Sequence, residues 1–590
     1  MPPFSLTAGP LRSKAFMSEI IIDSTGRTQM ARLLPSLTLA LVLINSEVLI
    51  TPVRSEPASP SVIRTLIEGA ALRAAQGIIF DDRDVLHVAS LDGRQIVVMD
   101  PETGDILDTF GPEIGVDVPD DLIFGPDGSL YWTALLLGEV GRLAPDGTVT
   151  TQFIAPGVNP ITFSDDGRLF TSQCFFGETV FEISPELDAS PREVISFPGT
   201  SCGLNGMDWG PDGHLYGPRQ FVGDVVRVDV DSGTFEVIAS GFGGPGAVKF
   251  DHQERLHVLD ALRGEIVRVD RNSGERSIIA RLTPGLDNLA FNSEDRLFVS
   301  SFSDKSIVEL IQEDDCGGED SCGKFRTVSP GGLGVATGIA VVNESRRPES
   351  IIVADTYTLR RFKARSGREK EITRWIPGFP PALPQTVAWD DGNLVLSGAG
   401  GFVQVWDPDT EEVVEEHAFD EAINAIRFQD DLIVADFANR SVIRIPAADP
   451  STREILMDGL VVPAGLAASK DDLWVGDQGD GEVWQIVKDG ALLVSPVLVA
   501  DNLEGPEGMV LDRDGNLLVV EAKAGRISRI DLETGAKSAV AEDLAIGAEG
   551  PASFAPTWGF NGIAVGRGGW IYATSDIEGS VYRIRPLRAH

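Results

Sequence analysis

Twelve positions in this chain are candidates for one shared chemistry. Each opens a short apolar run. They are Gln76, Asp120, Asn159, Asn205, Gly246 and Asp287 in the first half, then Thr337, Gln385, Asn424, Ala464, Glu507 and Asn561 in the second. Five of the first six bear a side-chain oxygen. Carboxylates and amide carbonyls converging on one axis are the ligand set of a hard cation such as Ca²⁺. The same residues also suit a solvated channel mouth, because Asn and Asp are common turn residues. Asp287 or Asp120, where not engaged as a ligand, would serve as general base toward water. Glu507, Asn561 and Asn424 form a second, weaker set.

These residues meet only if the chain brings them to an axis, and its internal period does so. Residues 120–149, 205–235, 287–310 and 507–535 share one pattern. A short apolar run leads to an Asp/Gly turn, a second β-rich run, a few loop residues and an alternating third run. Val-Val-Arg-Val-Asp-Val at 225–230 has the period of a half-buried strand. Asp-Gly pairs mark hairpins. The twelve openings lie 39 to 54 residues apart. Four strands per repeat of that length is one β-propeller blade, whose first strand lines the channel. The expected fold is all-β, as two tandem six-bladed propellers. The last repeat stops at its third strand, 580–587, and the sixth at 306–314. Two β-like segments are left over, 61–69 and 324–330. The economical expectation is that each closes the ring it precedes. That places an N-terminal propeller at 61–315, a Cys-containing linker at 316–323 and a C-terminal propeller at 324–590. A single twelve-bladed ring is the alternative.

The ends of the second strands belong at the same mouth. In the second half they are Asp355, Asp436, Asp477 and Glu521. In the first half they include Gln173 and Arg219, the candidate substrate contacts. Arg219 would hold a substrate carboxylate, or pair with Asp260.

The chain has 49 basic and 89 acidic residues among 590, a net charge of −40. Such a surface repels phosphate backbones and excludes nucleic acid as the main partner. A small-molecule substrate is the expected partner, with a protein partner also open. Phosphate-binding loops and nucleophile elbows are absent from the sequence. After Met30, one Arg, an apolar run at 33–44 and a Pro/Ser stretch match a secretory signal within a 1–60 leader and linker. The run is too short to span a bilayer, so no stable membrane insertion is expected after its removal. The expected location is secreted or periplasmic. The four cysteines suit an oxidising compartment. Cys316 and Cys322 flank a short segment, and Cys174 and Cys202 belong at one mouth, but sequence alone leaves their connectivity open.

Three short segments carry a family resemblance. Leu-Asn-Gly-Met-Asp-Trp at 204–209, Leu-Asp-Asn-Leu-Ala-Phe at 286–291 and Val-Asn-Pro-Ile-Thr-Phe at 158–163 resemble the channel strands of six-bladed calcium-dependent lactonases. These are the gluconolactonase/senescence-marker group and, more distantly, the paraoxonases. The repeat itself is similar to that of NHL-type and strictosidine synthase-like propellers. The lactonase resemblance implies that Asn159, Asn205, Asp287 and Asn288 bind calcium. It departs from the family at Gln76, where a metal-binding Glu is usual, and at Gly246. The paraoxonase-type catalytic His pair has no motif match among His87, His214, His252 and His257. The implied function is an exported metal-dependent hydrolase of a lactone or related ester. A non-enzymatic binding scaffold and a lyase or condensing enzyme are the alternatives.

Overall fold

The computed structural model describes residues 61–586, apart from 314–315, 317–321, 344–347, 376–380, 382, 399–400 and 552–557. The expected leader at 1–60 lies outside the described residues. Twelve four-stranded antiparallel sheets follow one another, each a blade. Strand Asp224–Asp229 shows why they form. Val226 and Val228 are buried, while Arg227 and Asp229 alternate with them toward solvent. Gly213 closes the preceding hairpin at φ 76°, a left-handed value that suits glycine.

Two rings close, of six blades each. Blade one packs on blade six, with Leu86, Val88 and Val97 against Phe298 and Ile307. The Ser300 hydroxyl donates to the Gln76 carbonyl at 2.6 Å across that seam. Blade twelve packs on blade seven through Tyr572, Val581, Ile339 and Ile351. There Gly562 N donates to Thr337 O at 3.2 Å. Glycines after several axial residues let neighbouring blades approach. A Cβ on Gly206 would lie 2.6 Å from Ala247 Cα, and one on Gly508 would lie 2.4 Å from Asn561 O.

The closing strands differ from expectation. Lys324–Ser329 pairs with Ser306–Gln312, so it completes blade six and not blade twelve. Ser61–Ile67 pairs with Ser580–Pro586 and completes blade twelve. The segment 316–323 is therefore no linker between propellers. Cys316 and Cys322, joined by a disulfide, fall between the last two strands of blade six. The N-terminal propeller ends after Ser329, and the C-terminal propeller recruits its outermost strand from the start of the described chain. The reason is loop closure: a short hairpin costs less entropy than a strand returned from the far side of a ring.

Two crossover segments consequently run side by side. Ala70 N donates to Leu333 O at 2.7 Å, and Gly69 bridges Leu333 in parallel. Beside them Lys305 Nζ meets Asp355 Oδ2 at 2.6 Å, both side chains fully buried. Arg374 meets Asp304 at 2.9 Å. These contacts join blade six to blade seven. Among the described residues no helix is long and apolar enough to cross a membrane.

Candidate ligand cavity between the propellers

The six axial residues of the N-terminal ring do meet. Gln76, Asp120, Asn159, Asn205, Gly246 and Asp287 all line one cavity of about 570 Å³. That volume is within the range of about 300–1,000 Å³ usual for small-molecule sites. Its opposite wall comes from the C-terminal propeller, through Tyr357, Trp375, Gln385, Glu421 and Trp558 among others. The rings therefore present mouths to the same space.

Asp120 and Asp287 are the charged part of the floor. Burial holds both carboxyls well above the ordinary range, with repulsion from Asp287 and then Asp121 adding at Asp120, and repulsion from Asp121 adding at Asp287. Asp121 lies just beneath. It accepts Asn288 Nδ2 at 3.0 Å and Ile161 N at 3.2 Å. Asn288 is thus turned to Asp121, its own Oδ1 accepting Leu289 N at 2.9 Å, and it does not line the cavity. Asn205 donates to Gln220 Oε1 at 3.0 Å and accepts Gly206 N at 3.0 Å. Gln76 Nε2 reaches the Tyr357 hydroxyl at 3.4 Å, tying the two propellers across the cavity.

The second-strand ends do a different job from the one expected. They fasten the loop that precedes their own blade. Asp260 accepts Gly243 N and Gly244 N, the second at 3.0 Å. Asp355 accepts Gly334 N and Val335 N at 2.9 and 2.8 Å. Asp477 does the same for Val461 and Val462, and Glu521 for Glu504. Gln173 donates to Pro156 O at 2.8 Å. Arg219 forms a two-pronged bond with Asp224, with Nε–Oδ1 at 2.9 Å, and lies between Phe197 and Phe235. Neither Gln173 nor Arg219 lines the cavity. The partner of Arg219 is Asp224 because the two face each other across the blade's second hairpin. Asp436 accepts Asn439 N and Nδ2 within its own turn.

Cavity side chains come instead from the turn one or two residues further on. These are Asp92, Phe175, Gln220, Phe302 and Tyr357, which reasoning from strand ends passes over. The available signal was the polar or aromatic residue just after each second strand. Asp92 is 6% exposed, its Oδ2 has no hydrogen-bond partner, and burial raises its pKa to about 7.

The second axial set is closed in on itself. Glu507 Oε1 accepts Gln478 Nε2 at 2.9 Å, and its Oε2 accepts Asn561 N and Nδ2 at 2.7 and 3.1 Å. Burial first, then the charge of Asp576, raises Glu507 to about 8. Asn424 is buried and lies outside the cavity lining, as do Glu507 and Asn561. Cys174 pairs with Cys202 beside the N-terminal mouth. His87 and His257 pack edge-on or tilted against Phe124 and Phe291 of the next blade. Among the described residues, no three His, Cys, Asp or Glu side chains group closely enough to hold a metal by themselves. Any cation here must therefore draw on amide oxygens as well as the Asp120–Asp287 pair.

Fold and cavity define a two-propeller protein with a ligand space between facing mouths. No protein-family profile and no curated protein matches the chain. Several solved structures are similar to parts of it at low TM-score. Virginiamycin B lyase from Staphylococcus aureus is 13% identical over 57% of this chain and 96% of its own, with a TM-score of 0.33. A streptogramin B lyase gives 13%, 57%, 94% and 0.33. The extracellular domain of a candidate one-component system from B. thetaiotaomicron is 10% identical over 90% of this chain and 83% of its own, with a TM-score of 0.30. The likeness concerns the fold alone.

Proposed function

We propose that the protein is a metal-dependent hydrolase of a lactone or related ester, working in the cavity between the propellers. One observation carries this reading. Two carboxyls from separate blades, Asp120 and Asp287, converge at the floor of an enclosed cavity, where no Lys, Arg or His among the described residues lines the wall. Their repulsion is the unfavourable term that a divalent cation would remove. Asp120, Asp287 and Asn159 would hold calcium, with the Gln76 and Asn205 amides beside them. Bound there, the ion would polarise a carbonyl and stabilise the oxyanion.

The chain's own residues do the rest. Whichever of Asp287 and Asp120 keeps a carboxylate oxygen free of the ion takes a proton from water as the water oxygen bonds to the carbonyl carbon. The bond from that carbon to the ester oxygen then breaks, and the proton passes to the departing oxygen. Leu135, Leu286 and Ile423 keep bulk water from the acyl group. The two disulfides support placement in an oxidising compartment, and so favour export.

The test is hydrolysis of a lactone and ester panel, with and without chelator, in water labelled with heavy oxygen. A hydrolase places one labelled oxygen in the acid product. A lyase yields an unsaturated product without label, and a binding module yields no product at all. Either of those results removes the hydrolase reading.

A further inference from the structure

We propose that the same cavity selects an organic cation, an ammonium group carried on an apolar or aromatic body. This goes beyond hydrolysis and stands on the lining alone. Five carboxyl side chains reach the cavity, from Asp92, Asp120, Asp287, Asp420 and Glu421, against no basic residue among the described lining. One of them, Asp92, is more than nine-tenths buried with Oδ2 unpartnered, so the wall holds an acceptor whose partner the protein does not supply. The nearest ammonium, Lys305 Nζ, already lies 5.6 Å from the Tyr357 ring centroid, so the faces left to a ligand are those of Phe302, Trp375 and Trp558. Lys305 is fully buried, bonded to Asp355 at 2.6 Å and absent from the lining.

Aromatic faces stand beside this acceptor. Phe302 meets Tyr357 with ring centroids 5.2 Å apart, and Trp375 lies 6.2 Å from both. Trp558 donates from Nε1 to the Asp92 carbonyl at 3.1 Å, which fixes it against the same turn. A cation over an aromatic face gains from the ring quadrupole, and gains more where water is excluded. An anion entering this space would meet five carboxyl side chains and neutral amides, with no basic side chain among the described lining to offset the repulsion. Trp375 and Trp558 belong to the C-terminal propeller and the axial pair to the N-terminal one, so a metal on the axial pair leaves those two faces available to an ammonium group. The net charge of −40 draws cations toward the mouth over longer range.

The experiment uses the full chain and three probes of similar size: benzyltrimethylammonium, benzyl alcohol and phenylacetate. Binding is read by calorimetry and by quenching of tryptophan fluorescence, in chelator and again in calcium. Benzyltrimethylammonium should bind at least roughly tenfold tighter than either analogue in chelator, and stay the tightest in calcium. Trp375→Leu keeps an apolar wall but removes the ring face, and should weaken the cation roughly 3- to 30-fold. Glu421→Gln and Asp420→Asn together should shrink the preference over benzyl alcohol while the fold, followed by circular dichroism, is kept. Equal or tighter binding of phenylacetate in chelator overturns the proposal. So does an unchanged dissociation constant in both Trp375→Leu and the double variant. Cation binding without calcium binding sustains it and removes only the hydrolase reading. Calcium binding without cation preference does the reverse.

Discussion

Deleting residues 61–67 should unfold or loosen the C-terminal propeller while leaving the N-terminal one closed. The strand Ser61–Ile67 makes six registered pairs with Ser580–Pro586. At about one backbone hydrogen bond per pair and roughly 0.5–1.5 kcal/mol net for each, the ladder contributes about 3–9 kcal/mol. Leu66 and Ile67 also pack on the seam between blades twelve and seven. Partial burial of two such side chains adds on the order of 1–3 kcal/mol. The sum is comparable to the whole stability of a typical domain, about 5–15 kcal/mol. Scanning calorimetry on the deletion should therefore show one transition lost or shifted far down and one kept. A synthetic peptide of residues 61–70, added in trans, should restore the lost transition. If the deletion instead destabilises the N-terminal propeller, or shifts neither transition, the crossed closure is wrong. The same crossing implies that a chain cut within 317–321 and then reduced will yield two halves that co-elute, because each half carries the other's neighbour at the junction.

Three further outcomes are expected. Lys305→Met should lower the melting temperature by leaving buried Asp355 with Arg360, at 3.8 Å, as its remaining ion-pair partner, and the double change Lys305→Met with Asp355→Asn should partly recover it, since an amide oxygen still accepts Gly334 N and Val335 N. Asp287→Asn should weaken calcium binding in calorimetry more than Asn205→Ser, since Asp287 supplies a full charge and Asn205 is already bonded to Gln220 and Gly206; Glu507→Gln should leave calcium binding intact. Glu507 has its folded pKa raised from 4.5 to about 8, so its contribution to stability is full below about 4.5 and is lost as pH rises toward about 8. Melting temperature should therefore fall over that window in the natural chain, and fall less in Glu507→Gln.

Much of the architecture was legible in the residues themselves. Period-two alternation and Asp-Gly turns are local signals, and each repeat states them again. That is why the strand count, the two six-bladed rings and the axial ring from Gln76 to Asp287 could be read without coordinates. The position of each axial residue follows from the pleat: once a first strand lines a channel, the residue that opens it lies at the mouth. The Cys316–Cys322 pairing, left open by the sequence, is assigned by the structure.

Other features depend on partners far away in the chain. Ser61–Ile67 and Lys324–Ser329 are both short strands rich in alternating polar and apolar residues, and either could extend either open edge. Only the competition between a short hairpin and a distant edge assigned them. The strand-end residues Gln173 and Asp260 carry functional-looking groups, yet their partners are loops set by blade twist, which no spacing rule contains. The cavity is the clearest case. The sequence determined that carboxyls and amides would ring one mouth. The facing of a second mouth, with Tyr357, Trp375 and Trp558 against Asp92, arises only when two rings dock through the buried Lys305–Asp355 junction. Local alternation and turn chemistry act between neighbours in sequence, whereas docking is decided by which surfaces remain unburied once both rings have closed.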